Sequence, residues 1–233
     1  MMNESMAKEV ADKIFETVFN IHCSYTLEEL SSKFAFDVKL PRMVCDFRTG
    51  EETWASSIYP TSFVTQKNME EKDQREGYML PKRDVSSLQE ILDIWEQVNQ
   101  FTTERAMNSV DVVKSDLIYN CQKVYHSCAC HNSKFILFCD SCTDSEYLIA
   151  SQRSATTTFS IRVDDSANCS NCYNVVYSNK ISNSFFIQDS FNLHECMFCS
   201  HIANKKYCIS NMQFEKEEYF MIKRAIIEWI LSS

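Results

Sequence analysis

Cysteine and histidine side chains are concentrated in the stretch CACHNSKFILFCDSC, residues 128–142. Both residue types bind zinc, and the C-x-x-C spacing at the end of the stretch is typical of structural zinc sites. One hypothesis is therefore a zinc site. Its candidate ligands are Cys128, Cys130, His131, Cys139 and Cys142.

A six-residue repeat surrounds this stretch and gives its spacing a second explanation. Cut in sixes from Ser109, the chain yields fifteen full blocks that begin with Ser or Cys and mostly carry an aliphatic residue or Cys at position four, with one half-block slip at 151–153. Such a repeat predicts a β-solenoid in which every third residue points inward. If three blocks close a coil, about five coils give a rod of roughly 25 Å.

Most cysteines of the repeat region occupy inward positions. Nine of the ten cysteines between residues 109 and 210 lie at position one or four, and only Cys128 does not. Each C-x-x-C pair then results from two neighbouring inward positions, and Cys is a small, readily buried residue. We expect reduced, buried thiols, no metal and no cofactor; the zinc alternative depends on Cys128 and His131.

Glycine is nearly absent, with two in the whole chain and none after Gly77. This excludes phosphate-binding loops that depend on glycine. Asparagine tolerates left-handed backbone best among the other residues, so we expect it at the corners of the coil. The candidate corners are Asn108, Asn120, Asn132, Asn171 and Asn183 at position six and Asn168, Asn174, Asn192 and Asn204 at position three.

Helical patterns flank the repeats. Apolar spacing predicts helices over 6–20, 86–100 and 215–231, and capping boxes begin helices at Thr26 and Ser87. We expect the fold class α+β, a single-stranded β-helix with helical ends. Its parts are an N-terminal helical and irregular region (1–84, irregular from 46), a linking or capping helix (85–108), the solenoid (109–210) and a C-terminal capping helix (211–233).

Four histidines are predicted to point outward or line corners: His126, His131, His194 and His201. Hexapeptide-repeat acyltransferases use a solvent-accessible histidine as a general base, so one of them is a candidate catalytic residue. The alternative is that all four are exposed corner residues without catalytic function.

Outward aromatic side chains and two arginines are the candidate binding residues. Phe185, Phe186, Phe191 and Phe198 occupy positions two and three of consecutive blocks, and Arg153 and Arg162 flank the slip. An exposed apolar stripe must be covered by the rest of the chain, by a partner or by a second subunit. The arginines are candidates for contact with an anionic group.

The segment NKKYCISNMQFEKEEYFMIK, residues 204–223, lies behind the Cys- and Ser-rich repeats. Together with them it resembles a functionally uncharacterised family of bacterial and phage repeat proteins whose chains end in N-K-x-Y-C-I-x-N followed by E-E-Y. The resemblance covers about residues 109–223 and implies a solenoid without any known activity. Many members begin with a zinc ribbon, which this chain lacks because it has only Cys23 and Cys45 before residue 109.

Net charge and hydropathy limit the partners that we expect. The net charge of −9 argues against nucleic acid or an anionic membrane as partner, and no apolar run is long enough to span a bilayer. Without a visible secretory signal, we expect a cytoplasmic protein.

The predicted function is a non-catalytic scaffold that binds a protein or peptide, or a second copy, with a solenoid face. The alternatives are an acyltransferase or peptide-modifying enzyme with an outward histidine, and a zinc-stabilised structural protein.

Overall fold

The computed structural model of the protein describes residues 2–57, 59, 62–69 and 79–232. This part of the chain forms a β-solenoid of about nine coils with helices before, beside and after it. The predicted α+β class, with an N-terminal and a C-terminal helix, is confirmed.

The described helices are α1 (Glu4–Phe19), α2 (Leu27–Phe34), α3 (Leu88–Val98) and α4 (Lys216–Ser232). Three short strands precede α3: β1 (Arg42–Cys45), β2 (Glu52–Ala55) and β3 (Ser62–Thr65). The strands that follow are β4 (Gln100–Thr103), β5 (Ala106–Met107), β6 (Val110–Val113), β7 (Ile118–Tyr119), β8 (Gln122–Tyr125), β9 (Lys134–Leu137), β10 (Glu146–Ile149), β11 (Thr158–Asp164), β12 (Tyr173–Val176), β13 (Asn179–Ser182), β14 (Phe185–Gln188), β15 (Phe191–Ser200), β16 (Ala203–Ile209) and β17 (Met212–Gln213).

Side-chain caps explain where the first helices begin. The Asn3 side chain accepts the Met6 N–H at 2.9 Å and starts α1. Thr26 and Glu29 form the predicted capping box of α2, and Ser87 accepts the Glu90 N–H to start α3. Each cap satisfies a backbone donor that the first turn of a helix leaves without a partner.

The region from residue 46 is more ordered than the expected irregular chain. β1 and β2 pair antiparallel, and β3 pairs parallel with β4 at the entrance to the solenoid. The buried Asp46 carboxylate joins them because it accepts the N–H groups of Arg48, Thr49 and Thr65 and the amide of Asn68. The charged segment 68–76 lies mostly outside the described residues.

Twelve residues, not eighteen, close one coil. Parallel partners are Val124, Ile136 and Leu148, each twelve residues after the last. Two six-residue blocks therefore make a coil, and the expectation of three blocks and about five coils is wrong. Nine coils at ~4.8 Å each give a solenoid of roughly 40 Å.

Every third residue from Asn108 to Ser210 has a positive φ and turns the chain. Four such corners bend twelve residues into a closed, four-sided coil. All nine asparagines predicted at corners are left-handed, with φ between 49° and 57°. Bulky residues such as Phe135 and Tyr177 adopt the same conformation, although it costs roughly 1–2 kcal/mol per residue.

Hydrogen bonds explain why position one is Ser or Cys. The Ser115 hydroxyl donates to the Val113 carbonyl at 2.7 Å and accepts the Ser127 N–H at 3.0 Å. Ser127 repeats the pattern one coil later, toward the Tyr125 carbonyl and the Cys139 N–H. The inward side chain thus supplies the acceptor for a buried backbone N–H of the next coil.

The slip at 151–153 leaves the coil intact. Pairing continues with the same twelve-residue period from Asp140 to Gln152 to Asp164. What changes is the side of the coil that carries the hydroxyls: Ser151, Ser154, Thr157 and Ser160 are all buried around one coil. Before this coil, Ser and Cys residues occupy one pair of opposite sides of the coil and mostly aliphatic residues the other pair. After it, the two pairs of sides are exchanged.

An apolar stripe on one outer side joins the helices to the solenoid. Its members recur every twelve residues: Tyr125, Leu137, Ile149, Ile161, Tyr173, Phe185, Met197 and Ile209, all half-buried or buried. The Phe19 ring of α1 lies 5.5 Å from that of Tyr173 and 5.7 Å from that of Phe185. Helix α4 returns along this flank, where the Tyr25 hydroxyl donates to the Leu231 carbonyl at 2.5 Å.

Replacing Ser127 by Ala removes a hydroxyl that makes two buried hydrogen bonds and leaves the Cys139 N–H without its acceptor. We expect the free energy of unfolding, measured in urea, to fall by about 1–3 kcal/mol. Ser170→Ala is the control, because Ser170 occupies an outward slot; we expect a change within about 0.5 kcal/mol. Equal effects of the two substitutions would contradict the assigned role of the inward hydroxyls.

Candidate binding surfaces

The candidate zinc ligands lie on two sides of the solenoid wall. Cys130, Cys139 and Cys142 point inward and are fully buried. His131 lies outside, where its ring stacks on Tyr119 with centroids 5.0 Å apart. These four residues therefore do not converge on one ion, and in the described part of the chain no three Cys, His, Asp or Glu side chains form a metal-binding group.

Burial raises the pKa of several inward thiols. It raises the pKa of Cys121 to about 11 and that of Cys169 to about 12. The off-frame Cys128 is also buried, beside Asp140, and its pKa rises to about 12 because of burial and that carboxylate. A protonated thiol is a poor nucleophile and a poor metal ligand, so these three residues act as core side chains at neutral pH. Cys199 differs, because a hydrogen bond with Cys196 lowers its pKa to about 7.

The four histidines have separate environments. His126 is largely buried and its Nε2 lies 3.0 Å from the Pro41 carbonyl, whereas the Nδ1 of His194 lies 2.9 Å from the Ser182 hydroxyl. His131 stacks on Tyr119, as described above. Two of the four, His126 and His201, line concave surfaces.

His201 has neighbours that resemble a Ser-His-Asp arrangement. Its Nδ1 lies 2.5 Å from the Ser200 hydroxyl and its Nε2 lies 3.7 Å from Asp189 Oδ2. The second distance exceeds a hydrogen bond, and the ring is 75% exposed. The carboxylate therefore does not orient the ring as a general base requires.

The predicted aromatic stripe is divided between opposite sides of the coil, because residues six apart lie half a coil apart. Phe185 is buried beneath α1 and α4, and Phe186 and Phe198 stack at 4.6 Å beneath Trp229 of α4. Phe191 lies on the opposite side and is 44% exposed. Helices α1 and α4 thus cover Phe185 and much of Phe186, whereas Phe191 and, at 38%, Phe198 stay exposed.

The two candidate arginines also separate. Arg162 is largely buried; its guanidinium donates to both carboxylate oxygens of Asp37 at 2.9 and 2.7 Å and to the Phe34 carbonyl, which holds α2 against the solenoid. Arg153 is 68% exposed and lies 3.5 Å from Asp165. Only Arg153 is therefore accessible to a partner.

Arg153 and Phe191 both line a groove of about 910 Å³ on the side opposite the helices, which we call the open groove. One wall is a row of corner residues on successive coils: Arg153, Asp165, Tyr177, Asp189 and His201. The floor is the neighbouring row Ala155, Ala167, Asn179, Phe191 and Ala203. The side chain at the centre of the wall, Tyr177, is 61% exposed.

A second concave surface, which we call the His126 cavity, lies between α1, α2 and the first coils and measures about 740 Å³. Aromatic side chains of Trp54, Tyr125, His126 and Phe138 line it. The rings of Trp54 and His126 are 4.8 Å apart, edge to face. Sequence reasoning missed this cavity because Trp54 lies far along the chain from the others and belongs to no repeat.

One charged pair lies at the edge of the His126 cavity. The Lys114 ammonium donates to Glu4 Oε1 at 2.9 Å and lies 3.1 Å from the Tyr125 hydroxyl oxygen. It also lies 5.6 Å from the Trp54 ring centroid. The Lys114 hydrogen bond lowers the pKa of Glu4, so both groups are charged at neutral pH.

Helix α3 presents a third apolar surface. Its described side chains include no buried residue, and the whole predicted stripe is 42–70% exposed: Leu88, Ile91, Leu92, Trp95 and Val98. The helix that we predicted as a linking or capping helix therefore does not bury this face against the solenoid.

Comparison with known proteins finds no matching family, no matching curated protein and no matching solved structure. The resemblance of residues 109–223 to the bacterial and phage repeat family stays a prediction. None of the helices in the described ranges is long and apolar enough to cross a membrane.

His126 gives the protein a pH dependence of stability with a defined sign. Burial lowers its pKa below the ordinary 6.5, and nearby Lys114 lowers it further against the opposing effect of the Pro41 carbonyl. Below pH 6.5 the unfolded chain takes up a proton that the folded protein refuses, so the free energy of unfolding falls as pH falls.

We expect His126→Gln, whose amide is able to donate to the same carbonyl, to lose part of this dependence. Urea unfolding of both proteins at pH 7.5 and 5.5 measures it: the wild type should lose more stability than the variant on acidification. Equal losses would contradict the assignment to His126.

Proposed function

We propose that the protein is a non-catalytic scaffold whose open groove binds an extended segment of another protein. The observation that carries this proposal is the contrast between the two sides of the coil. Helices cover the apolar stripe on one side, whereas Tyr177 and Phe191 remain exposed in a concave surface on the other. Exposed aromatic side chains in a groove are typical of interaction sites.

The dimensions of the groove fit a short peptide segment. The wall from Arg153 to His201 crosses four intervals between coils, or about 19 Å at ~4.8 Å each. At ~3.3 Å per residue, an extended segment of about six residues covers this length. The small alanine side chains of the floor allow the backbone of the bound segment to approach closely. The rings of Tyr177 and Phe191 provide the large apolar contacts.

The charges of the wall set the expected polarity of the partner. Arg153 lies beside Asp165 and His201 beside Asp189, with Tyr177 between the two pairs. Arg153 is able to leave Asp165 at little cost, because surface ion pairs contribute only ~0–1 kcal/mol. We therefore expect a segment with an apolar centre and charged residues toward both ends.

Selection from a random peptide library against the native protein tests this proposal. The recovered peptides are then measured by fluorescence anisotropy on the wild type and on the double variant Tyr177→Asn with Phe191→Thr, which keeps residues suited to a corner and a strand. We expect affinity to fall at least about tenfold, since buried aromatic contacts dominate such interfaces. Phe47→Ser removes an exposed aromatic outside the groove and should leave affinity unchanged.

Peptides that bind the double variant as tightly as the wild type would contradict the proposal. So would the recovery of no binding peptide. Sedimentation of the same proteins checks self-association: a dimer that the double variant abolishes would assign the groove to a second copy instead of a foreign segment.

A further inference from the structure

The His126 cavity has the construction of a small-molecule site. Its volume of about 740 Å³ falls within the roughly 300–1,000 Å³ of such sites. The rings of Trp54, Tyr125 and Phe138 line it; Trp54 is half-buried, and the other two are almost wholly buried. The rest of the lining is largely polar, and Lys114, Glu4 and the Tyr125 hydroxyl meet at one edge of it. The accessible Trp54 ring favours a ligand with a flat apolar part.

The polar edge already holds a carboxylate. The Lys114 ammonium and the Tyr125 hydroxyl both donate to the same oxygen of Glu4, at 2.9 and 3.4 Å. Glu4 belongs to the first turn of α1, and its side chain is 69% exposed. An exposed carboxylate leaves such a pair at little cost, so a second carboxylate is able to take its place.

Two carboxylates, Glu4 and Glu28, and two ammonium groups, Lys8 and Lys114, line the cavity. The other ammonium of the cavity, that of Lys8, donates to the backbone carbonyls of Cys23 and Tyr25. Lys114 is therefore the ammonium that faces a ligand at this edge. The two carboxylates of the lining repel a doubly charged anion more than a singly charged one, which favours a monocarboxylate.

We propose that the His126 cavity binds a flat aromatic monocarboxylate, with Lys114 and Tyr125 as donors to the carboxylate and Glu4 as an internal competitor. The site is separate from the open groove, since Lys114 and Tyr125 belong to the first coils, on the helix-covered flank. Failure of either proposal leaves the other unaffected.

Because Glu4 competes with the ligand for Lys114, removing the charge of Lys114 and removing that of Glu4 are expected to change the affinity for a carboxylate in opposite directions. The probe is 2-naphthoate, and its neutral analogue is 2-naphthalenemethanol; binding to the native protein is followed by ligand-observed NMR titration. We expect the acid to bind about tenfold more tightly than the alcohol. Lys114→Met should remove that preference, whereas Glu4→Gln should tighten binding of the acid several-fold.

Matched controls separate these effects from general damage. Lys123, like Lys114, is a left-handed corner residue with its ammonium over an aromatic ring, 4.8 Å from the Phe135 centroid. Lys123→Met and Glu9→Gln, the latter on the exposed face of α1, should leave both affinities unchanged. Ser31→Phe fills the cavity from α2 and should abolish binding of acid and alcohol alike. Thermal unfolding of every variant checks that it is folded.

Four outcomes would overturn the proposal: no binding at millimolar probe, equal binding of acid and alcohol, equal effects of Lys114→Met and Lys123→Met, or unchanged binding to folded Ser31→Phe. Weaker binding of the acid to Glu4→Gln would also contradict it, because it would make Glu4 a part of the site instead of a competitor.

Discussion

The structure depends on a left-handed residue at every third position. Each such corner turns the chain so that the following side chain points inward, and four corners close a coil of twelve residues. The conformation is costly for non-glycine residues, so the ladder between coils must stabilise it. Inward serines contribute by accepting backbone N–H groups of the next coil, and Cys121 accepts one in the same way. The narrow interior, the thiols within it and the flat outer sides all follow from this constraint.

The twelve-residue period also determines the surfaces. Residues twelve apart form a row on one side, and residues six apart lie on opposite sides. One outer row is apolar along its whole length and packs against α1 and α4, while the row half a coil away has alanines, Asn179 and Phe191. The same sequence repeat therefore produces a covered side that anchors the helices and an open side for a partner.

The sequence predicted the solenoid, its inward residues and its asparagine corners because a buried interior imposes a strict period on the chain. It did not reveal the coil length, since six-residue blocks are equally compatible with two or three per coil. Bulky left-handed residues such as Tyr177 were missed because their preference alone would exclude a corner. The His126 cavity was missed for another reason: Trp54, Glu4 and Lys114 approach only after the N-terminal region folds onto the first coils, and nothing in their local sequence indicates that contact.

Thiol cross-linking between corner positions tests the twelve-residue coil most directly. The experiment uses a Cys45→Ser background, which removes the exposed native thiol. Asn192 and Asn204 are twelve residues apart, and the amide of the first donates to the second at 2.8 Å; Asn174 and Asn192 are eighteen residues apart. If twelve residues close a coil, cysteines at 192 and 204 should form a disulfide rapidly under mild oxidation, and cysteines at 174 and 192 should not. Rapid cross-linking of the eighteen-residue pair without the twelve-residue pair would contradict the four-cornered coil.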